Sequence, residues 1–188
     1  MIFYHMMYNG NKYENDGAMY RINKKYEMKV FNKDNRFFSG EILKLDKIYV
    51  DVIDAGIDTD FLWIVGISGL NVSPRFKESL EKFNIGENEF IPIYITNSNK
   101  LVGYHVNILN YFGNECINYQ TSKCSMFGDE LSAVVPVFYY NVIKDFDLFS
   151  YRENNHKILS HIYISSRIKK EIIKQGFTGC SFIRSHTE

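Results

Sequence analysis

Histidine and cysteine are the residues of this chain that could hold a metal ion or act as base and nucleophile. There are five histidines and three cysteines: His5, His105, His156, His161, His186, Cys116, Cys124 and Cys180. His156 and His161 do not have the i, i+4 spacing of helical zinc sites, and Cys116 and Cys124 are too far apart for a C-x2-4-C pair. The spacing therefore predicts no bound metal, and nothing else in the sequence indicates a cofactor.

Nucleophilic catalysis needs a serine or cysteine beside a base that a third group orients. The sequence has no G-x-S-x-G element, and its dispersed glycines form neither of the common phosphate-binding loops. We therefore expect a binding protein and not an enzyme, with no catalytic residue assigned. The alternative is a hydrolase or transferase whose site is assembled from residues distant in sequence, such as His105, Cys116 and Asp129.

Aspartates are concentrated between residues 46 and 60, where five of them and one lysine give a local charge of −4. Oxygen-rich clusters can bind Ca²⁺, but this segment lacks the D-x-[DN]-x-[DN]-G loop. Two interpretations remain open: solvated strand faces and turns, or a surface that contacts a cationic partner. In the second interpretation the contacting residues are Asp51, in a strand, and Asp54, Asp58 and Asp60, in the loop that follows it.

Two short segments combine a serine cap with an amphipathic helix. Ser73 is a good N-cap before Pro74, and the apolar residues that follow recur at i, i+4 and i+7. Ser165 is the second N-cap, and Gly176 is expected to end its helix. These two S-x-R-x-K helices predict buried faces formed by Phe76, Leu80, Ile168 and Ile172.

The two helical segments also match each other at an offset of 92 residues. The matching pairs are Ser73 and Ser165, Arg75 and Arg167, Lys77 and Lys169, and Phe90 and Phe182. One interpretation is a duplicated strand–helix–strand unit, and the other is that any capped amphipathic helix has this pattern. The arginines and lysines could form an anion-binding surface or a solvated helix face.

The remaining pattern predicts an α+β domain with mainly antiparallel sheets and at least two amphipathic helices. The expected strands are 2–8, 18–22, 26–31, 48–53, 61–65, 90–95, 101–109, 134–140, 146–149, 162–164 and 180–183, with 110–133 irregular. The run at 61–65 contains Trp63, the only tryptophan, and is expected to be a central strand buried on both faces. We expect one domain over residues 1–188, with a strand-rich part at 1–60.

Composition excludes several functional classes. Equal numbers of basic and acidic residues, 22 of each, give no general attraction to nucleic acid or to an anionic membrane. No apolar run approaches the roughly 20 residues that span a bilayer. The N-terminus has no secretory signal pattern, so three reduced thiols and a cytoplasmic location are expected.

The order of these motifs resembles the immunity proteins of bacterial polymorphic toxin systems, in the family first catalogued as a domain of unknown function. The resemblance covers residues 61–183: a tryptophan-bearing strand, a serine-capped helix, the strands NEFIPIYI and YHVNIL, the segment CINYQTS, and a second capped helix ending in G-x-T-G-x-x-F. The family-motif positions here are Trp63, Ser73, Arg75, Ser165, Arg167, Gly179 and Phe182.

This resemblance implies a cytoplasmic antitoxin with no chemistry of its own. Such a protein binds a cognate toxin domain without covalent bonds and blocks its active site or holds it inactive. The implied partner is therefore a protein, and no cofactor is required.

Overall fold

The computed structural model describes residues 1–9, 17–24, 45–67, 69–109, 111–127, 130–153, 156–157 and 161–188. It is an α+β fold with mixed, largely antiparallel sheets. Its helices are α1 (Pro74–Leu80), α2 (Tyr140–Ile143), α3 (Ser166–Gln175) and a 3₁₀ turn (Asn114–Cys116). The strand expected at 26–31 lies outside the described residues.

Sixteen strands are described, and several extend or divide the expected ones. They are β1 (Phe3–Tyr8), β2 (Met19–Ile22), β3 (Ile48–Asp54), β4 (Trp63–Val65), β5 (Leu70–Val72), β6 (Asn88–Ile95), β7 (Leu101–Ile108), β8 (Tyr111–Phe112), β9 (Lys123–Phe127), β10 (Glu130–Val135), β11 (Val137–Phe138), β12 (Leu148–Glu153), β13 (His156–Lys157), β14 (Ile162–Ser165), β15 (Cys180–Arg184) and β16 (His186–Thr187). The expectation of irregular structure at 110–133 was wrong, because β8, the 3₁₀ turn, β9 and part of β10 lie there.

The first sheet has the order β4-β2-β3-β6-β7-β5. Phe61 bridges Val72 of β5, and the Leu62 N–H donates to the Asn71 carbonyl at 2.8 Å before the same segment continues as β4. The two ends of the sheet are thereby joined. Apolar side chains from β2, β3, β4, β6 and β7 form a separate core inside it, which includes Tyr20 and Val50.

The second sheet has the order β13-β12-β14-β1-β15, with β8 also pairing with β12. A core shared by both sheets lies beneath α1 and α3 and contains Phe76, Leu80, Ile168 and Ile172, all buried as predicted. A third cluster, rich in aromatic rings, packs around β12 and includes Phe138 and Tyr163.

The two helical segments lie in strand arrangements with matching registers. In the first unit, β7 lies between β5 and β6, with Tyr104 opposite Val72 and Val106 opposite Phe90. In the second unit the same middle place is taken by β1, the first strand of the chain: Tyr4 lies opposite Ile164, and Met6 opposite Phe182. Phe90 and Phe182 thus occupy equivalent positions, where both are partly buried and pack against the shared core.

Both serine caps are confirmed. The Ser73 hydroxyl accepts the Phe76 N–H, and the Ser165 hydroxyl accepts the N–H groups of Arg167 and Ile168. Helix α3 ends at Gly176, whose left-handed backbone (φ +64°) suits glycine. None of the helices in the described residues is long and apolar enough to cross a membrane.

Candidate functional site

Asp60, a predicted partner-contacting residue, lies inside the protein. Only 4% of its surface is exposed. Its carboxylate accepts hydrogen bonds from the Ser73 hydroxyl at 2.7 Å and from Arg75 Nε at 2.7 Å. A second guanidinium nitrogen of Arg75 contacts the other carboxylate oxygen. The placement of Asp60 in a partner-contacting loop was therefore wrong, because its side chain turns inward to the cap of α1.

The Asp60 carboxylate also accepts the Thr178 backbone N–H at 3.0 Å. Thr178 belongs to the segment that leaves α3, so Asp60 connects the start of one helix with the exit of the other. Burial opposes ionisation of Asp60, but the hydrogen bonds from Arg75, Ser73 and Thr178 outweigh it and lower the Asp60 pKa below its ordinary value. Asp60 is therefore an ionised structural residue.

Asp147 makes the corresponding contacts in the second unit. Its carboxylate accepts the Ser165 hydroxyl at 2.5 Å and the Asn84 backbone N–H at 3.1 Å, and Arg167 Nη1 lies 3.4 Å from it. Asn84 belongs to the segment that leaves α1. Sequence reasoning missed Asp147, because no local pattern links it to Ser165, which lies 18 positions later.

The two arginines also pack against aromatic rings at the exits of the opposite helices. The Arg75 guanidinium lies 4.8 Å from the Phe177 ring centre, and that of Arg167 lies 5.8 Å from the Phe83 ring centre. Together with the carboxylate contacts, this arrangement gives Ser73, Arg75, Ser165 and Arg167 structural roles, so we do not assign these residues to an anion-binding surface.

The lysines of the two motifs also pack against aromatic rings, and these rings belong to the strand that follows each helix. Lys77 Nζ lies 5.3 Å from the Phe90 ring centre, and Lys169 Nζ lies 5.4 Å from that of Phe182. Gly179, directly before β15, has a φ of +87°, and a Cβ at this position would lie 2.7 Å from the Phe61 carbonyl oxygen. The contact of Phe182 with Lys169 lies within one unit, whereas contacts between the two units involve Ser73, Arg75, Ser165, Arg167 and Gly179.

Trp63 instead lies on an open sheet face. It belongs to the terminal strand of the sheet order and is 42% exposed, so the prediction of a central, doubly buried strand was wrong. The apolar run alternates: Leu62 and Ile64 point into the core, whereas Trp63 points outward.

The outer face of β4, β2 and β3 brings predicted residues together in two cross-strand rows. In one row Met19 lies opposite both Trp63 and Asp54, and in the next Arg21 lies opposite both Val65 and Asp51. The β2–β3 register shifts between Tyr20 and Met19, as in a β-bulge, and this shift brings Asp54 to the same face as Asp51. Opposite residues in neighbouring strands share a face. We call Trp63, Met19, Asp54, Val65, Arg21 and Asp51 the β4–β2–β3 face.

This face combines apolar and charged side chains. Trp63, Arg21 and Asp54 are exposed, and Met19, Val65 and Asp51 are partly exposed. The Asn23 Nδ2 donates to both oxygens of the Asp51 carboxylate, at 3.1 and 2.9 Å, which fixes the position of this carboxylate. Tryptophan, methionine and arginine are enriched in protein interfaces, whereas aspartate is depleted there.

A cavity of about 570 Å³ adjoins Trp63. Its lining includes Tyr8, Phe61, Ile67 and the histidines His5 and His161, whose rings stack with centres 4.9 Å apart. Tyr8 packs edge-on against Trp63 with ring centres 4.6 Å apart. This contact holds the indole in place at the cavity rim, and a rigid aromatic side chain loses little conformational entropy on binding.

Asp58, another predicted contact residue, lies in the loop after β3. It is exposed, accepts the Tyr20 hydroxyl at 2.5 Å, and lies 3.7 Å from Lys100 Nζ. Burial, and then the hydrogen bond to Asp58, raises the Tyr20 pKa. Of the four predicted aspartates, two therefore lie on the β4–β2–β3 face, one lies in the adjoining loop, and one is buried.

His105 and Cys116, two of the residues suggested for a catalytic site, lie in different parts of the described structure. His105 is buried on β7, where its Nδ1 lies 2.9 Å from the Asn71 Oδ1, and burial lowers its pKa to about 4. Cys116 packs in the aromatic cluster around β12. Position 129 lies outside the described residues, among which no group of three potential metal ligands occurs.

Comparison of the chain with protein-family models and with curated proteins finds no match.

Proposed function

We propose that this protein is a cytoplasmic immunity protein that neutralises a cognate toxin domain by non-covalent binding through the β4–β2–β3 face. The observation that carries the proposal is the position of Trp63, an outward-facing indole held by Tyr8 beside a cavity and in one row with Met19 and Asp54. An indole that is largely desolvated on binding commonly dominates the affinity of a protein interface.

The charge of the surface supports a partner with a basic groove. Asp51 and Asp54 lie on the face, and the exposed Asp58 lies in the loop that follows β3. The sequence resembles immunity proteins of polymorphic toxin systems, and many toxins of these systems are nucleases with cationic active-site grooves. Complementary charge accelerates association with such a surface and disfavours other partners.

The proposal is tested by co-purification of the full chain with toxin domains encoded beside its gene, followed by measurement of affinity. Trp63→Ala should weaken binding by about 30-fold or more, because a hot-spot truncation costs about 2 kcal/mol or more. Tyr139→Ala is the matched control, since Tyr139 is an aromatic residue outside the face with 41% exposure against 42% for Trp63.

Both variants must first show the wild-type circular dichroism spectrum, because Trp63 also contacts Tyr8. Absence of binding by the wild-type chain to every such toxin domain would refute the proposed function. Equal affinities of the Trp63 and Tyr139 variants would place the interface elsewhere.

A further inference from the structure

Strand β3 continues past the end of its parallel neighbour β6. Its parallel pairing with β6 covers only Ile48–Val50, after which the Thr96 N–H donates to the Val50 carbonyl at 2.9 Å and the chain enters the turn to β7. In the described residues, β3 beyond Val50 is paired only with β2. Among the described residues, no strand therefore lies beside the second edge of this end of β3.

The backbone groups on that edge follow from the alternation along a strand. The Tyr49 carbonyl accepts the Asn23 N–H at 3.0 Å on the β2 side, whereas the Val50 carbonyl points toward β6. Successive residues of a strand direct their N–H and C=O groups to opposite sides. The N–H and C=O of Val52 consequently point away from β2, toward the edge where β6 has ended.

Two apolar side chains are exposed to solvent at this strand end. Val52 is 43% exposed and Ile53 is 44% exposed. Neighbouring residues in a strand point to opposite faces, so both faces are open to solvent at this point. An open edge with two apolar side chains is a template for an added strand.

Charge selects among the possible occupants of the edge. Asp51 and Asp54 flank Val52 and Ile53. A second copy of this chain pairing edge to edge would bring these carboxylates close to their counterparts, and like charges on paired strands are destabilising. An extended segment with lysine or arginine would instead place opposite charges across the new strand pair.

We propose that the open edge of β3 at Val52–Asp54 receives an extended, lysine- or arginine-bearing segment of the partner as an added strand. This inference rests on the proposed function for the identity of the partner, but the edge itself can be tested without a toxin. The added strand would lie beside the Asp51 and Asp54 end of the β4–β2–β3 face, so one partner could contact the edge and Trp63 together.

The test uses the ¹⁵N-labelled full chain and two blocked six-residue peptides, one alternating lysine with valine and the other alternating glutamate with valine. In the free protein the Val52 amide should exchange rapidly with solvent. The lysine peptide at saturation should slow this exchange by about tenfold or more, since the amide gains a hydrogen bond, and the glutamate peptide should bind at least about tenfold more weakly.

Two variants of Val52 distinguish the contribution of its backbone N–H to peptide binding from that of its side chain. Val52→Pro removes the N–H on the open edge and should weaken binding of the lysine peptide by about tenfold, whereas Val52→Thr, which keeps the N–H and the branched shape, should stay within about twofold. If Val52→Pro does not fold, Asp54→Lys serves instead and should remove the preference for the lysine peptide.

Slow exchange of the Val52 amide in the free protein would overturn the inference, because the edge would already be covered. Equal binding by the Pro and Thr variants, or equal binding of the two peptides to the wild-type chain, would also overturn it. These outcomes are independent of whether any toxin domain binds, which decides the proposed function.

Discussion

Asp60 and Asp147 make matching contacts in the two halves of the structure. Each carboxylate accepts the hydroxyl of the serine that caps one helix and a backbone N–H from the segment that leaves the other helix. Each carbonyl also accepts the N–H of its own capping serine, at 2.8 Å in both cases. Helices α1 and α3 are therefore each connected to the opposite unit, and we infer that the two units unfold together.

Replacing Asp60 by Asn should show what this carboxylate contributes. The variant presents a neutral amide group to Arg75 and to the Thr178 N–H in place of a carboxylate, and losing a hydrogen bond to a charged acceptor costs about 1.5–3 kcal/mol. The Asp60 pKa is lowered in the folded state, so its ionisation stabilises the protein above the unfolded pKa near 4, and this contribution is lost as the pH falls further.

The measurement is the free energy of unfolding as a function of pH between about 2 and 7, the range in which carboxyl groups titrate. Asp60→Asn should flatten the acid side of this curve, whereas the control Asp54→Asn, at an exposed position, should leave it unchanged. An equally steep acid limb in Asp60→Asn and the wild type would show that the carboxylate has no special role.

The buried helix faces give a second prediction. Leu80 and Ile172 are almost fully buried in the core that the two units share, so Leu80→Ala and Ile172→Ala should each destabilise by about 2–5 kcal/mol. Ile173→Ala is the matched control, because Ile173 is adjacent to Ile172 in α3 and 64% exposed; it should change stability by at most about 0.5 kcal/mol. Urea denaturation gives all three values, and a cost at Ile173 as large as that at Ile172 would refute the assigned face.

Features encoded by neighbouring residues were predicted correctly from the sequence. The caps at Ser73 and Ser165, the apolar spacing that follows them, and the end of α3 at Gly176 all depend on contacts within a few residues. Their geometry is set by local hydrogen bonds and by backbone preference, so a linear pattern contains the necessary information.

Features that depend on distant contacts were missed. Thr178 contacts Asp60 across 118 positions, and the middle strand of the second unit is β1, from the other end of the chain. Trp63 was misplaced because an apolar run alone does not show whether the second face of a sheet is covered. The candidate site was predicted in part: Asp51 and Asp54 were named, but not the rows that join them to Met19 and Trp63.

Two glycines near the end of α3 give a matched pair for a third prediction. Gly179 and Gly176 both have positive φ, but a Cβ at position 179 would lie 2.7 Å from the Phe61 carbonyl oxygen, whereas one at 176 would meet no non-neighbouring atom within 4 Å. Gly176→Ala should therefore cost about 1–2 kcal/mol through backbone strain alone, and Gly179→Ala should cost about 1–3 kcal/mol more through steric overlap. Thermal unfolding would measure both changes, and equal losses would contradict the close approach at Gly179.

The final prediction concerns the rate of toxin binding and replaces only residues that solvent can reach. Asp54→Lys with Asp58→Lys reverses one exposed charge on the β4–β2–β3 face and one in the adjoining loop, whereas Asp60 is excluded because its reversal would disrupt the interior. Exposed charges act mainly on diffusional encounter, so the double variant should slow association with a verified toxin domain by roughly tenfold at low salt and reduce the salt dependence of that rate. The control, Glu78→Lys with Asp145→Lys, makes the same change in net charge at exposed positions outside the face. Stopped-flow measurements should show a much smaller effect in the control; equal slowing in both variants would mean that net charge, and not this surface, guides the encounter.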